Sequence, residues 1–221
     1  MYALDDERVL RRYRAPGPTE AEARLMRHVA ERGFPVPRVY ETTNTDMVLD
    51  RLSGPTMLDL IARHPEQVEE YGRMLGQLQD MLHDLAAPPW LTELENTGSD
   101  ARILHLDFHP ANVIVTGTGP VVIDWRNARA GDPAADLALT TVILRYADMP
   151  DGIVITASSR HRLLSALHAT SRSDPAPWMA RAIQGRLIDP NISAAEEARL
   201  RDIAQPADAA QAVDSAQPAD S

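Results

Sequence analysis

The stretch Ile103-Leu104-His105-Leu106-Asp107-Phe108-His109-Pro110-Ala111-Asn112-Val113-Ile114-Val115 puts polar residues in a short loop between two apolar strands. A turn follows at Thr116-Gly117-Thr118-Gly119-Pro120. Val121-Val122-Ile123 then forms a second apolar strand that runs straight into Asp124. Such a hairpin returns Asp124 to the side of Asn112. A carboxylate and an amide oxygen converging there make a hard-oxygen site that suits Mg²⁺. Asp107 is left free to accept a proton from an alcohol. A rival reading takes His105, Asp107 and His109, at alternate positions, as a metal cluster, but no third-histidine partner is evident. A serine hydrolase is excluded more firmly, because the chain has no G-x-S-x-G.

Upstream of this stretch, Val68, Tyr71, Leu75, Leu78, Leu82 and Leu85 recur at spacings of three and four, one apolar stripe on a long helix that Pro88-Pro89 stops. The stripe reads as core. Further helices are expected from Ala134 to Arg145, Arg160 to Thr170 and Ser193 to Ile203. The N-terminal part reads differently. Tyr2 to Leu4 and Val9 to Arg14 form a hairpin around Asp5-Asp6-Glu7, and Ala15-Pro16-Gly17-Pro18 breaks it. Thr19 is the expected N-cap of a helix that Gly33 ends, with Glu20 and Glu22 in its first turn. Strands at Arg38–Glu41 and Met47–Leu49 follow, and Ser53-Gly54-Pro55 is a break. The expected organisation is a small β-rich lobe over residues 1–52, a helical lobe over 53–203, and a disordered tail over 204–221 built on the repeat Ala-Gln-Pro-Ala-Asp.

Composition narrows the chemistry. The 221 residues contain 22 Lys plus Arg, and all 22 are arginine; cysteine is also absent. Zero Cys excludes a disulfide scaffold and a thiolate metal site. Zero Lys excludes Schiff-base chemistry and a Walker-type phosphate lysine. Richness in Ala, Arg, Asp and Pro makes codon bias the simplest cause. Asp plus Glu is 32, for a net charge of −10, which argues against nucleic acid as a partner. No apolar run reaches membrane-spanning length and no signal-peptide pattern opens the chain, so a cytoplasmic protein is expected.

Asp107 and Asn112 stand five apart, the spacing of the kinase catalytic loop. With His105-Leu-Asp107-Phe-His109-Pro110-Ala-Asn112, Ile123-Asp124-Trp125, Gly131-Asp132-Pro133 and Asp136-Leu137, the chain resembles the aminoglycoside phosphotransferases, kin to the choline kinases and protein kinases. The resemblance spans about residues 1 to 200. It implies an α+β, two-lobed protein-kinase-like fold and a small-molecule O-phosphotransferase that uses ATP or GTP with Mg²⁺. Asp107 is then the catalytic base, Asn112 and Asp124 hold the metal, His105 braces the loop, and His109 positions the loop or the phosphate. Asp132 and Asp136 read as helix caps that tie down the segment after Asp124. Arg126 and Arg129 fall near the phosphates and read as solvated surface arginines.

The acceptor is a small hydroxyl compound, cationic if acidic residues line its pocket. The family's strand lysine and its helix glutamate correspond to Arg11 and Glu22, with Arg12 as the register alternative. Arg keeps the charge but not the reach of Lys. The linker at Asp50, Arg51 and Leu52 corresponds to the adenine-binding segment. The family's first strand and glycine-rich loop have no counterpart ahead of Met1, so the small lobe reads as truncated. That departure and Arg11 leave a second reading open, a catalytically impaired pseudokinase-like protein that binds nucleotide or another ligand.

Overall fold

A computed structural model describes residues 1–13, 19–94 and 100–204. The expected strand end at Arg14, the break at residues 15–18 and the tail from residue 205 onward lie outside the described residues. The N-terminal part has strands β1 (Tyr2–Ala3) and β2 (Arg8–Arg12), helix α1 (Thr19–Ala30), and strands β3 (Val39–Thr42) and β4 (Asp46–Asp50). The four strands form one antiparallel sheet in the order β1-β2-β4-β3. Its register decides the first functional question. Val9 pairs with Leu49 and Arg11 with Met47, so Arg11 shares a face with two buried apolar residues. Helix α1 covers that face with Ala23, Met26 and Val29. Arg12 pairs with Asp46 on the other face and meets it there in an exposed ion pair at 2.7 Å, which removes the register alternative. Thr19 is the first residue of α1, and its hydroxyl donates to the Asn44 carbonyl at 2.9 Å.

The chain leaves the sheet at Gly54, where any side chain would be obstructed: a Cβ would lie 2.1 Å from the Val115 carbonyl oxygen. Helices α2 (Met57–Arg63) and α3 (Val68–His83) follow. Thr56 and Asp59 close a reciprocal capping box at the start of α2, which makes a stable unit of seven residues. The stripe on α3 is buried as expected: Val68, Leu75 and Leu82 are at 0% exposure. Gly72 lets α3 approach a later helix closely, since a Cβ there would sit 2.5 Å from the Leu163 carbonyl.

Two short strand pairings then build the floor of the site. They use β5 (Arg102–Leu104), β6 (Val113–Thr116), β7 (Gly119–Val122) and β8 (Arg129–Gly131). β6 and β7 form the hairpin; β5 pairs with β8. The remainder is helical: α4 (Pro133–Tyr146), α5 (Ala157–Thr170), α6 (Met179–Leu187) and α7 (Ala194–Ala204). Asp132 N-caps α4 and Thr156 N-caps α5. One apolar core runs from α1 and β4 through α3 to α5. Trp125 joins its two parts. It meets Phe34 edge-on at 5.5 Å and His105 at 4.9 Å, and its Nε1 donates to the Val122 carbonyl.

Candidate active site

The β6–β7 hairpin does bring Asp124 back: the Ile123 N–H donates to the Asn112 carbonyl at 2.9 Å. Asp107 lies at the mouth of the loop that precedes β6. Asn112 Nδ2 donates both to the Asp107 carbonyl at 2.9 Å and to Asp107 Oδ2 at 3.0 Å. His109 Nε2 lies 3.3 Å from Asp107 Oδ1 and 3.3 Å from Asn112 Nδ2. Burial pushes the Asp107 carboxyl up, but the bond from His109, the nearby imidazoles and Asn112 outweigh it and hold it below the usual carboxylate range. Asp107 is therefore an ionised acceptor facing the cleft.

The loop is held from behind. Asp136, fully buried on α4, accepts from the N–H of Leu106 at 2.8 Å, from the N–H of His105 at 2.9 Å and from His83 Nε2 at 3.0 Å. Burial alone would raise its pKa; His83 and the backbone donors lower it below the usual carboxylate value. This corrects the reading of Asp136 as a cap for the segment after Asp124. One turn into α4 its side chain faces inward, and what it ties down is the loop ahead of Asp107; capping falls to Asp132 alone. His105 is fully buried and its Nε2 donates to the Ile123 carbonyl at 3.1 Å, joining the loop to the strand that carries Asp124. Burial depresses its pKa and keeps the ring neutral. Leu106 (φ 59°) and Asp124 (φ 66°) are the non-glycine residues with left-handed backbone among the described residues. Each costs about 1–3 kcal/mol of strain, and they flank Asp107 and end the hairpin.

From the sheet side, Arg11 reaches across. Its NH1 donates to Glu22 Oε1 at 3.1 Å and its NH2 to Asp124 Oδ1 at 2.7 Å. Tyr13 donates to the other Glu22 oxygen, and the Arg11 guanidinium lies 4.7 Å over the Tyr13 ring. Sequence reasoning missed Tyr13, although period-two alternation puts it on the face of Val9 and Arg11. Burial raises the Glu22 carboxyl above its ordinary value, with Tyr13 and Arg11 only partly offsetting it. Burial also opposes the charge on Arg11, yet Asp124 and Glu22 hold that pKa above normal.

A cleft of about 860 Å³ gathers Arg11, Asp107, His109 and Asp124, with Arg126 and Arg129 on its wall. Asn112 and Glu22 stand behind these residues. Asp50, Arg51 and Leu52 are not part of it; they line a second pocket with Glu7 and Thr116. The Asp50 carboxylate accepts from the Arg38 N–H and the Tyr40 hydroxyl, and the Arg51 N–H donates to the Glu7 carbonyl.

A sheet-containing N-terminal part and a mainly helical remainder, with an ionised aspartate, an amide and a second carboxylate around one cleft, make up a protein-kinase-like fold. The chain belongs to the phosphotransferase enzyme family, which residues 1–97 and 88–157 match. Among solved structures, an ethanolamine kinase from Plasmodium vivax is similar with a TM-score of 0.62 at 11% identity, covering 90% of this chain and 75% of its own. An amicoumacin kinase in complex with AMP-PNP, Ca²⁺ and its ligand has a TM-score of 0.55 at 13% identity, covering 92% and 86%. Likeness at these identities establishes the fold. A probable bifunctional tRNA threonylcarbamoyladenosine biosynthesis protein of Methanospirillum hungatei is 28% identical over 125 residues, 46% of this chain and 23% of its own length. The chain thus spans under a quarter of that curated relative. Among the described residues, no helix is long and apolar enough to cross a membrane.

Proposed function

We propose that the protein transfers the γ-phosphate of ATP or GTP to the hydroxyl of a small molecule in the cytoplasm. Residues 1–52 would serve the nucleotide, and residues 53–203 the catalytic loop and the acceptor. The observation that carries this reading is the convergence of Asp107, Asp124 and Arg11 on one cleft from three separate elements.

The residues fit a divalent cation. Asn112 commits its Nδ2 to Asp107, so its Oδ1 is the atom left to coordinate, and among the described residues nothing donates to it. Asp124 adds a carboxylate already drawn toward positive charge by Arg11. Two oxygen donors of this kind suit Mg²⁺, and the bound ion would neutralise the charge on the transferring phosphoryl group.

Asp107 would accept the proton of the acceptor hydroxyl as its oxygen bonds to the γ-phosphorus and the nucleoside diphosphate departs. His109 and Asn112 fix the Asp107 carboxylate, and His105 and Asp136 fix the loop. Arg11, steadied by Glu22, would grip the α/β-phosphates. The linker at Asp50–Leu52 is the proposed adenine segment, where contact would come through the remaining backbone groups.

The test is Mg²⁺-dependent nucleotide binding and turnover in the full chain. Asp107→Ala should lose about 10²–10⁴-fold in turnover with nucleotide binding retained. Asp124→Ala should abolish the Mg²⁺ dependence of binding. A wild-type chain with no Mg²⁺-dependent nucleotide binding sinks the reading. Binding without turnover across an acceptor panel leaves the impaired, pseudokinase-like form.

A further inference from the structure

The charge of the cleft runs against that of the chain. Acidic residues outnumber arginines 32 to 22 overall, yet the cleft wall carries Arg11, Arg126, Arg129 and Arg186 against Asp107, Asp124 and Asp189. Two of the four arginines are neutralised in place. Arg11 is bound to Glu22 and Asp124. Arg186 is bound to Asp189 at 2.6 Å and to Glu196 at 2.7 Å. These pairs also consume two of the three aspartates. The third, Asp107, is engaged by His109 and Asn112.

Arg126 and Arg129 remain. Neither meets a carboxylate within ion-pair distance among the described residues. Arg129 is half-buried; its NH1 donates to the carbonyls of Asn127 at 3.3 Å and Ala128 at 2.8 Å. Those bonds engage NH1, and among the described residues Nε and NH2 of this cleft-lining side chain meet no acceptor. Its place is set by pairing, since Arg129 on β8 stands opposite Leu104 on β5, just ahead of the loop that carries Asp107. Arg126 lies 5.5 Å from the Tyr13 ring, nearer the sheet. Leu139 and Ile143 of α4 give the same cleft an apolar wall.

We propose that the acceptor is an anionic alcohol: a hydroxyl compound that also carries a carboxylate or phosphate, held by Arg129 with Arg126 beside it. A planar guanidinium binds either acid group through paired N–H donors. A cationic acceptor would have to approach two uncompensated arginines, so the cleft selects against it as well as for the anion. This inference rests on the phosphotransferase reading and deepens it.

The test uses the full chain and four matched probes: ω-hydroxyhexanoate, ω-hydroxyhexyl phosphate, ω-hydroxyhexanamide and ω-aminohexanol. Equilibrium binding is measured with Mg²⁺ and a non-hydrolysable ATP analogue present, and analogue binding is measured separately. At least one acid should bind about tenfold or more tighter than the amine, the scale of a charge-assisted hydrogen bond. Which acid leads separates the carboxylate from the phosphate. Arg129→Gln should remove that preference while leaving amide binding unchanged, and Arg129→Lys should restore part of it. No preference for an acid in the wild type, including no binding by any probe, overturns the inference. Loss of analogue affinity in Arg129→Gln overturns it too, because Arg129 would then serve the nucleotide. Failure of the wild type to bind the analogue at all is the separate failure of the phosphotransferase reading.

Discussion

Two buried carboxylates stand on opposite sides of the cleft, and burial acts on them with opposite results. Asp136 is held below the usual carboxylate range, whereas Glu22 is raised above it. Their burial is similar, with side chains at 0% and 2% exposure. What differs is the set of donors. Asp136 receives two backbone N–H groups and an imidazole nitrogen, all fixed by β5, the loop and α3. Glu22 relies on a phenol and on an arginine that it shares with Asp124. Donors locked in the backbone offset desolvation; mobile or shared ones do so only in part. The loop side is thus a finished scaffold. On the sheet side Arg11 divides its donors between Glu22 and Asp124, and under the proposed function it would exchange partners when phosphates arrive.

The largest effect should come from breaking the scaffold. Asp136→Ala leaves two N–H groups and His83 without an acceptor in the core, and should cost about 3–5 kcal/mol of stability in urea unfolding at neutral pH. Activity should fall with it, because the loop ahead of Asp107 loses its anchor. A loss under about 1 kcal/mol would mean that the loop holds itself.

The opposite shifts also predict opposite pH signatures. The folded Asp136 carboxyl titrates below its unfolded value of about 3.9, so its contribution is present above that value and is lost as pH falls through the folded pKa. Glu22 titrates above its unfolded value of about 4.3. Its contribution is therefore full below that value and is lost as pH rises through the raised, folded pKa. Glu22→Gln should remove this penalty, leaving stability at pH 7 within about 1 kcal/mol of wild type or higher. Nucleotide affinity should nevertheless fall, since Arg11 loses one of its two holds. Unfolding curves from pH 3 to 7 for the wild type and both variants check this; a Glu22→Gln protein that loses stability steeply at pH 7 would contradict it.

The sequence made these two sides unequally legible. Asp107, Asn112 and Asp124 are neighbours through a hairpin, so local pattern was enough to bring them together. The α3 stripe was equally plain, because six apolar residues keep one helical face. Arg11 and Glu22 came from the family resemblance, and the pairing of Arg11 with Met47 is what sets Arg12 on the other face. Asp136 was misread because its partners lie some thirty residues earlier in the chain, a distance at which helix periodicity is silent. Helix α2 went unread despite its Thr56–Asp59 capping box, since seven residues are too few to show a period. Helix α6 has nine residues and buries none of them fully, so its pattern is nearly as short as that of α2 and less anchored. Arg126 and Arg129 read as surface charge near the phosphates; the pairing of β8 with β5 sets Arg129 into the cleft wall, where Arg126 joins it from the turn after Asp124.

The smallest effect should fall on the residue next to Arg11. Arg12 and Asp46 form a bidentate pair, with Nε and NH2 donating at 2.8 Å and 2.7 Å, better geometry than the Arg11–Glu22 contact at 3.1 Å. Its distances are the shorter, yet its consequences should be the lesser. Arg12 is 57% exposed, and water screens its charge and already solvates it. A double-mutant cycle on Arg12→Ala and Asp46→Ala should return only a small coupling, falling further with added salt, with nucleotide binding unchanged. A coupling as large as the Asp136 effect would mean that short distance, and not the enclosure of the donors, sets the worth of a pair here. The contrast drawn between the two sides of the cleft would then fail on its physical premise.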